Sequence, residues 1–259
     1  MDLEPLLALS ESAARRAAEL LLERWCRSPQ GVDTKSSPTD LVSDADRDSE
    51  RLLIDVIHRE RPDDGVVAEE TGARSSRSGL SWILDPLDGT VNYLFRIPVW
   101  AISIAVADDR QTLVGVVYDP NRDELFSATR GGGATINGAP MHVSDVDDIA
   151  TALIGTGFAY DSRARQVQAE TLQRVLPRVR DIRRAGSAAL DLASVACGRL
   201  DGLYEAPMER WDRAAGALLV EEAGGVVSEL EGPLQLSSGV VAAGASLHDR
   251  LRALVLDDG

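Results

Sequence analysis

Apolar positions recur along this chain first at helical spacing, then in strand-like runs, then as an alternation of the two. Residues 3–25 repeat leucine and alanine with a helical period, predicting an amphipathic helix at the start. A second helix is predicted over 44–60, where Leu52, Leu53, Val56 and Ile57 continue one apolar face. Ser43-x-x-Asp46 resembles a capping box at its beginning. "GVVAEETG" reads as a short strand ending at Glu69 and Glu70, and residues 71–79 as a loop rich in Ser, Arg and Gly. Trp82, Ile83 and Leu84 read as the end of a buried strand, a short apolar run bounded by breakers.

From 99 to 136 the pattern turns to β. "VWAISIAVA", "LVGVVYD", "ELFSATR" and "GATIN" are separated by "DDRQT", "DPNRD" and "GGG", which predicts an antiparallel meander with hairpin turns. Beyond about residue 150, strands "TALIGTG", "DIRR", "DGLYE", "GVVSEL" and "VVAAG" alternate with helices around 163–177, 187–197, 212–223 and 246–255. Such alternation predicts an α/β second half. The expectation is a single domain over 1–259 in two lobes: an α+β lobe with an antiparallel sheet over 1–150, and an α/β lobe over 151–259.

Composition narrows the function. Asp plus Glu number 42 against 27 Lys plus Arg, a formal net charge of −15. Such a surface repels nucleic-acid phosphates and anionic membranes, so neither is expected as a partner. A phosphorylated ligand would need a local cationic site. Lys35 is the only lysine in the chain. Two cysteines make no disulfide framework, and three separated histidines lack zinc-ligand spacing, so any metal must be held by oxygen. Acidic residues stand near the N-terminus where a signal peptide would be basic, and no apolar run approaches a membrane span; the expectation is a soluble, cytoplasmic protein.

Acidic groups gather at predicted element ends: Asp46, Glu69 with Glu70, Asp85 with Asp88, and Asp212 in "RWDRAAG". Each has a structural alternative. Asp46 can complete a helix cap, Asp212 can be an N-cap, the two glutamates can pair with surface arginines, and Asp85-Pro86-Leu87-Asp88 can be an acidic turn. Two carboxylates beside a buried strand end nevertheless repel each other unless a cation lies between them. Taken together, carboxylates with a threonine hydroxyl and no His or Cys make a hard-oxygen site suited to Mg²⁺. Competing motifs fail. "DADRDS" and "DPNRDE" lack the Gly and Glu of a calcium loop, "RGGGATINGAP" lacks the lysine of a phosphate loop, and no GxSxG elbow accompanies any histidine.

"DPLDGTVNY" and "WDRAAGALLVEEAGG" resemble, in order, the two signatures of the inositol monophosphatase family. "DTKSSPTDLVSDADRDSE", "VVAEETG", "GVVYDPNRDELFSATRGGGATINGAP" and "RRAGSAALDLASVACGRLDGLYE" extend the resemblance over roughly 5–255. It implies a layered αβαβα sandwich of the sugar (inositol) phosphatase type and hydrolysis of a small phosphorylated polyol or sugar. It further implies two to three Mg²⁺ ions, with Mn²⁺ as a substitute and Li⁺ as an inhibitor, and a homodimer. Carried over by position, Glu69, Asp85 and the Leu87 carbonyl would hold one metal, and Asp85, Asp88 and Asp212 a second. Asp46, Thr90, Glu69 and Lys35 would be catalytic. The substrate would meet Asp88, Gly89, Thr90, Ser187, Ala188, Glu205 and Asp212, with "GSAALDL" resembling the inositol branch. Val91, Phe95 and Trp100 depart from the family pattern, so the substrate pocket is expected to differ around them. Fructose-1,6-bisphosphatase activity is the alternative within the superfamily. An acidic regulatory or protein-interaction role, with hydrolysis secondary, is the alternative outside it.

Overall fold

The computed structural model describes residues 1–27, 30–35, 40–230 and 239–256. Helix α1 (Glu4–Trp25) is followed by the short paired strands β1 (Asp33–Thr34) and β2 (Leu41–Val42) and by helix α2 (Asp44–Glu60). Strands β3 (Gly65–Ala68), β4 (Gly72–Arg74) and β5 (Ser81–Asp88) lead to a five-residue helix, α3 (Thr90–Leu94). The meander follows as β6 (Ala101–Ala107), β7 (Thr112–Asp119), β8 (Glu124–Thr129), β9 (Gly133–Ile136) and β10 (Ala139–Pro140). The rest alternates: β11 (Leu153–Thr156), α4 (Ser162–Val175), β12 (Asp181–Arg183), α5 (Ala188–Ala196), β13 (Gly202–Glu205), α6 (Arg210–Glu222), β14 (Gly225–Leu230), β15 (Gly239–Gly244) and α7 (Ala245–Leu256). Residues 36–39, inside a stretch that carries the family resemblance, lie outside the described set.

One sheet has eight strands in the order β10-β9-β8-β7-β6-β5-β3-β4, antiparallel throughout except where β3 runs parallel to β5. The other has five, β12-β11-β13-β15-β14, with β11 parallel to both neighbours and β15 antiparallel to both of its own. Strand periodicity decides what each face meets. On β5 to β7, Trp82, Leu84, Ile102, Ile104, Val114 and Val116 point to the core shared with α1 and α2. The alternate positions, Ile83, Ala101, Ala105, Ala107 and Val117, face α5 and α6. Those residues are mostly small, and the helices come close. A Cβ on Gly115 would stand 2.7 Å from the Ala215 carbonyl oxygen. A third core lies between the five-stranded sheet and α4 with α7, around Ile154, Val241 and Leu251. Each fully buried aliphatic side chain contributes roughly 1.5–3 kcal/mol of transfer free energy. The layers therefore read helices, sheet, helices, sheet, helices, the αβαβα sandwich expected.

Two sequence readings need correction. Residues 71–79 are not all loop: Gly72–Arg74 forms β4, whose exposed positions at the sheet edge carry no buried alternation to reveal it. The strand of Trp82–Leu84 also does not end there. It continues to Asp88 through a bulge, because the pairing Asp85↔Ser103 shifts to Asp88↔Ala101. No helix among the described residues is long and apolar enough to cross a membrane.

Candidate active site

The bulge of β5 sets the geometry. Asp85 Oδ1 accepts from Leu87 N at 3.1 Å, closing a local turn, while Pro86 has no N–H to leave unpaired. The Pro86 carbonyl instead accepts from Ser49 Oγ at 2.9 Å. Gly89 then takes φ +94°, and an added Cβ would stand 2.9 Å from the Val99 carbonyl oxygen, so only glycine serves there.

One face of α2 ties three loops together. Asp46 Oδ2 accepts from Ser43 N (2.8 Å) and Ser43 Oγ (2.7 Å), completing the cap. Its other oxygen accepts from Thr90 Oγ1 at 2.7 Å. The cap expected from the sequence is therefore also a tie to the loop after β5. Glu50, one turn on and fully buried, accepts from Glu70 N and Thr71 N, both at 2.8 Å. That contact fixes the backbone just after Glu69.

Lys35 Nζ donates to Glu69 Oε1 at 2.6 Å and also to Glu70 Oε1. The glutamates thus pair with the single lysine, not with surface arginines. Burial works against the Lys35 ammonium, but attraction to the two carboxylates holds it above the usual lysine range. Burial, then the charges of Glu70 and Asp46, push Glu69 up to about 7 in spite of Lys35.

Asp85 and Asp88 are 2% and 9% exposed. Burial raises Asp85 well above the ordinary carboxyl range, and the charges of Glu69, Asp88 and Asp212 raise it further. Asp212 is raised by burial, then by Asp88 and Glu69. It is not the N-cap of α6, as its position suggested. Glu209 caps, and Asp212, one turn in, accepts from Glu209 N at 2.6 Å. Asp88 is raised by burial, though the start of α5 opposes this: Ser187 Oγ, Ala188 N (3.2 Å) and Ala189 N (2.8 Å) all donate to it. The Ser187 hydroxyl proton is therefore committed to Asp88, while its oxygen caps Leu190 N at 3.3 Å.

These groups line one cavity of about 610 Å³, which brings together Lys35, Glu69, Asp85, Leu87, Asp88, Gly89, Thr90, Ser187, Ala188, Glu205 and Asp212. Asp46 lies behind Thr90 and is fully buried. Glu205 is raised to about 8 by burial, then by Asp191 and Asp88, with Arg184 opposing. Gly157 leaves it room, since a Cβ there would lie 1.8 Å from Glu205 Oε1. Tyr160, Arg184, Asp191 and Trp211 also line the cavity and were missed in the sequence. Asp191 had a signal: it is the one charge in the apolar helix "AALDLASVA".

Val91, Phe95 and Trp100, expected to reshape this pocket, are not among its lining residues. Trp100 is fully buried, its ring edge-on to Trp25 and Tyr93 at 5.8 and 5.1 Å between centroids. Phe95 is 69% exposed. His248 lies 2.9 Å from Ser228 and 3.0 Å from Asp249, a closer Ser-His-Asp grouping than the sequence suggested. None of the three lines the cavity, and the Asp249 side chain is 99% exposed.

Among the described residues, no group of three or more His, Cys, Asp or Glu side chains is arranged to hold a metal ion as it stands. The carboxylates are held instead by the chain's own donors, Lys35 on Glu69, the α5 start on Asp88 and Glu209 N on Asp212. Their chemistry still fits a hard divalent cation: oxygen donors raised by burial and, at Asp85 and Asp212, by neighbouring carboxylate charge, for which added positive charge is the direct remedy.

Comparison with known proteins agrees with this architecture. The model of the inositol monophosphatase family matches residues 2–257. The chain is 40% identical to the "Nus factor SuhB" of Pasteurella multocida, over 94% of this chain and 92% of that one. It is 38% identical to the "Inositol-1-monophosphatase" of Synechocystis, over 96% and 88%. Among solved structures, the extragenic suppressor protein suhB of Bartonella henselae superposes with a TM-score of 0.92 at 34% identity, covering 98% of this chain and 100% of that one. The inositol monophosphatase of Anabaena superposes with 0.83 at 35% identity, covering 98% and 96%. With a family match over nearly its whole length and relatives of this closeness, the chain belongs to the inositol monophosphatase family of phosphatases.

Proposed function

We propose that this protein is a Mg²⁺-dependent phosphomonoesterase that hydrolyses myo-inositol monophosphate to inositol and phosphate. The observation that carries the reading is the cavity in which burial and the charges of Glu69, Asp88 and Asp212 raise Asp85, and burial, Asp88 and Glu69 raise Asp212, beside the Thr90–Asp46 hydrogen bond. Glu69, Asp85 and the Leu87 carbonyl would hold one cation, and Asp85, Asp88 and Asp212 another. When bound, these cations supply charge neutralisation at the phosphate and an activated water for in-line attack.

The chain's own residues supply the rest. Thr90 Oγ1 spends its proton on Asp46, so it turns a lone pair outward and accepts from the attacking water. That fixes the water with its nucleophilic lone pair toward phosphorus. Lys35 balances Glu69 and Glu70. Gly89 and Thr90 offer backbone N–H groups to phosphate oxygens. Ser187 and Ala188 hold Asp88 in place, and Glu205 faces the alcohol part of the substrate. Family likeness also supports inhibition by Li⁺, tolerance of Mn²⁺, a homodimer and a cytoplasmic location.

The test is phosphate release with Mg²⁺ over inositol 1-phosphate, fructose 1,6-bisphosphate, histidinol phosphate and adenosine 3′,5′-bisphosphate. Inositol 1-phosphate should be turned over best. Preference for fructose 1,6-bisphosphate would move the protein to the alternative branch with the same chemistry. A second reading draws on the relatives named Nus factors: the chain acts mainly through a macromolecular partner, with hydrolysis secondary. No release from any of the four esters would favour it.

A further inference from the structure

We propose that Asp191 is a specificity-determining residue that accepts a hydrogen bond from a hydroxyl on the alcohol part of the substrate. This inference rests on the polyol-phosphate reading given above and names a residue that reading leaves unused.

Asp191 sits in the first turn of α5 and is 4% exposed. An aspartate there ordinarily serves the helix start, but that work is already done. Ser187 caps the helix, Asp88 takes the Ala188 and Ala189 amides, and the Asp191 amide itself bonds to the Ser187 carbonyl at 3.0 Å. Among the described residues, no donor gives a hydrogen bond to the Asp191 carboxyl. Its oxygens are not among the enclosed unpaired atoms, so they reach a cavity, where a ligand hydroxyl can supply the donor the chain does not.

The residue borders two cavities, the active-site cavity and a smaller one lined by Glu124, Arg122 and Arg199. The groups it interacts with electrostatically lie on the first. Asp88 and Arg184 act on it, and it acts on Glu205; all three line the active-site cavity. Asp191 and Glu205 therefore share one part of the site. Burial and Asp88 push the Asp191 carboxyl up to about 8, against Arg184. Ionised or protonated, a carboxyl keeps an oxygen that accepts from a hydroxyl, which suits a neutral, hydroxyl-bearing alcohol.

The experiment compares wild type, Asp191→Asn and Asp191→Ala in steady state with saturating Mg²⁺. The substrates are myo-inositol 1-phosphate, histidinol phosphate and phenyl phosphate, the last with neither hydroxyl nor amine on its alcohol part. For Asp191→Ala, KM for inositol phosphate should rise about tenfold with kcat within about twofold, the size of one lost hydrogen bond. Phenyl phosphate kinetics should not move. Asp191→Asn keeps an acceptor oxygen and should shift less, and thermal melting checks that both variants fold. Equal changes on inositol phosphate and phenyl phosphate, or none on either, overturn the inference and leave Asp191 as a partner of Arg184. A selective loss with histidinol phosphate instead would assign it to an ammonium group, which also overturns the hydroxyl reading. The wild-type rates test the parent reading separately: turnover of no hydroxylated ester removes both, whereas normal wild-type rates with unselective variants remove only the inference.

Discussion

Thr90 Oγ1 donates to Asp46 Oδ1 at 2.7 Å and also lies 3.1 Å from the Leu87 carbonyl oxygen. One hydroxyl thus joins the start of α2 to the loop after β5, across 44 residues of sequence. Both partners are buried, so the hydroxyl's direction is fixed by the fold.

Removing that hydroxyl should separate chemistry from binding. Thr90→Val is expected to lower kcat by about 10² or more with little change in KM, while Thr90→Ser keeps most of the rate. Steady-state kinetics on the preferred ester decide it. A valine variant with near-normal kcat would remove Thr90 from the water's environment.

The carboxylate cluster predicts opposite effects on activity and on metal-free stability. Asp88→Asn and Asp212→Asn should each abolish turnover in saturating Mg²⁺ with the fold intact. Without divalent cations, at a pH alkaline enough to ionise the cluster, Asp85→Asn should melt above wild type, because it removes one charge from a buried set that raises Asp85. The gain should be on the order of 1 kcal/mol, and it should vanish when Mg²⁺ stabilises the wild type. Calorimetric melts in chelator and in Mg²⁺ read both arms; a lower metal-free melt for Asp85→Asn would contradict the account.

The pH dependence of metal-free stability has a definite sign. Burial and neighbouring charge keep Glu69 protonated up to about 7, and Asp191 and Glu205 up to about 8, against ordinary values of 4.5, 3.8 and 4.5. Between those limits the folded chain binds more protons than the unfolded one, so stability falls as pH rises. Their contribution is fully present below the ordinary carboxyl range and lost on passing through about 7 to 8. Urea midpoints in chelator should therefore drop between about pH 5 and about pH 8.5, and Mg²⁺ should flatten the slope. A rise over that interval would reverse the assignment.

Packing between the middle helices and the large sheet can be probed away from the site. In Gly115→Ala the new methyl would meet the Ala215 carbonyl oxygen at 2.7 Å, a backbone atom of α6. The cost should be about 1–3 kcal/mol in chemical denaturation. A neutral result would mean that α6 can shift outward on the sheet.

Much of this protein was fixed by local pattern. The span of α2 follows from the Ser43–Asp46 cap and one apolar face, and β6 and β7 follow from continuous apolar runs buried on both sides. The tight turn after β5 was legible as well, because "DPLDG" joins two carboxylates, a proline and a glycine whose φ is +94°. Strand β4 was not, since an exposed edge strand needs only backbone partners and leaves no side-chain period. The role of Ser187 was likewise hidden: its proton goes to Asp88, 99 residues away. Lys35, conspicuous as the single lysine, found its two glutamates only through folding. Sequence determines which groups can bond and which backbone shapes are cheap, because propensity, capping and periodicity act over a few residues. Tertiary structure decided which carboxyls share one cavity, where burial and neighbouring charge raise Asp85 and Asp212, because desolvation and charge repulsion depend on distance through space.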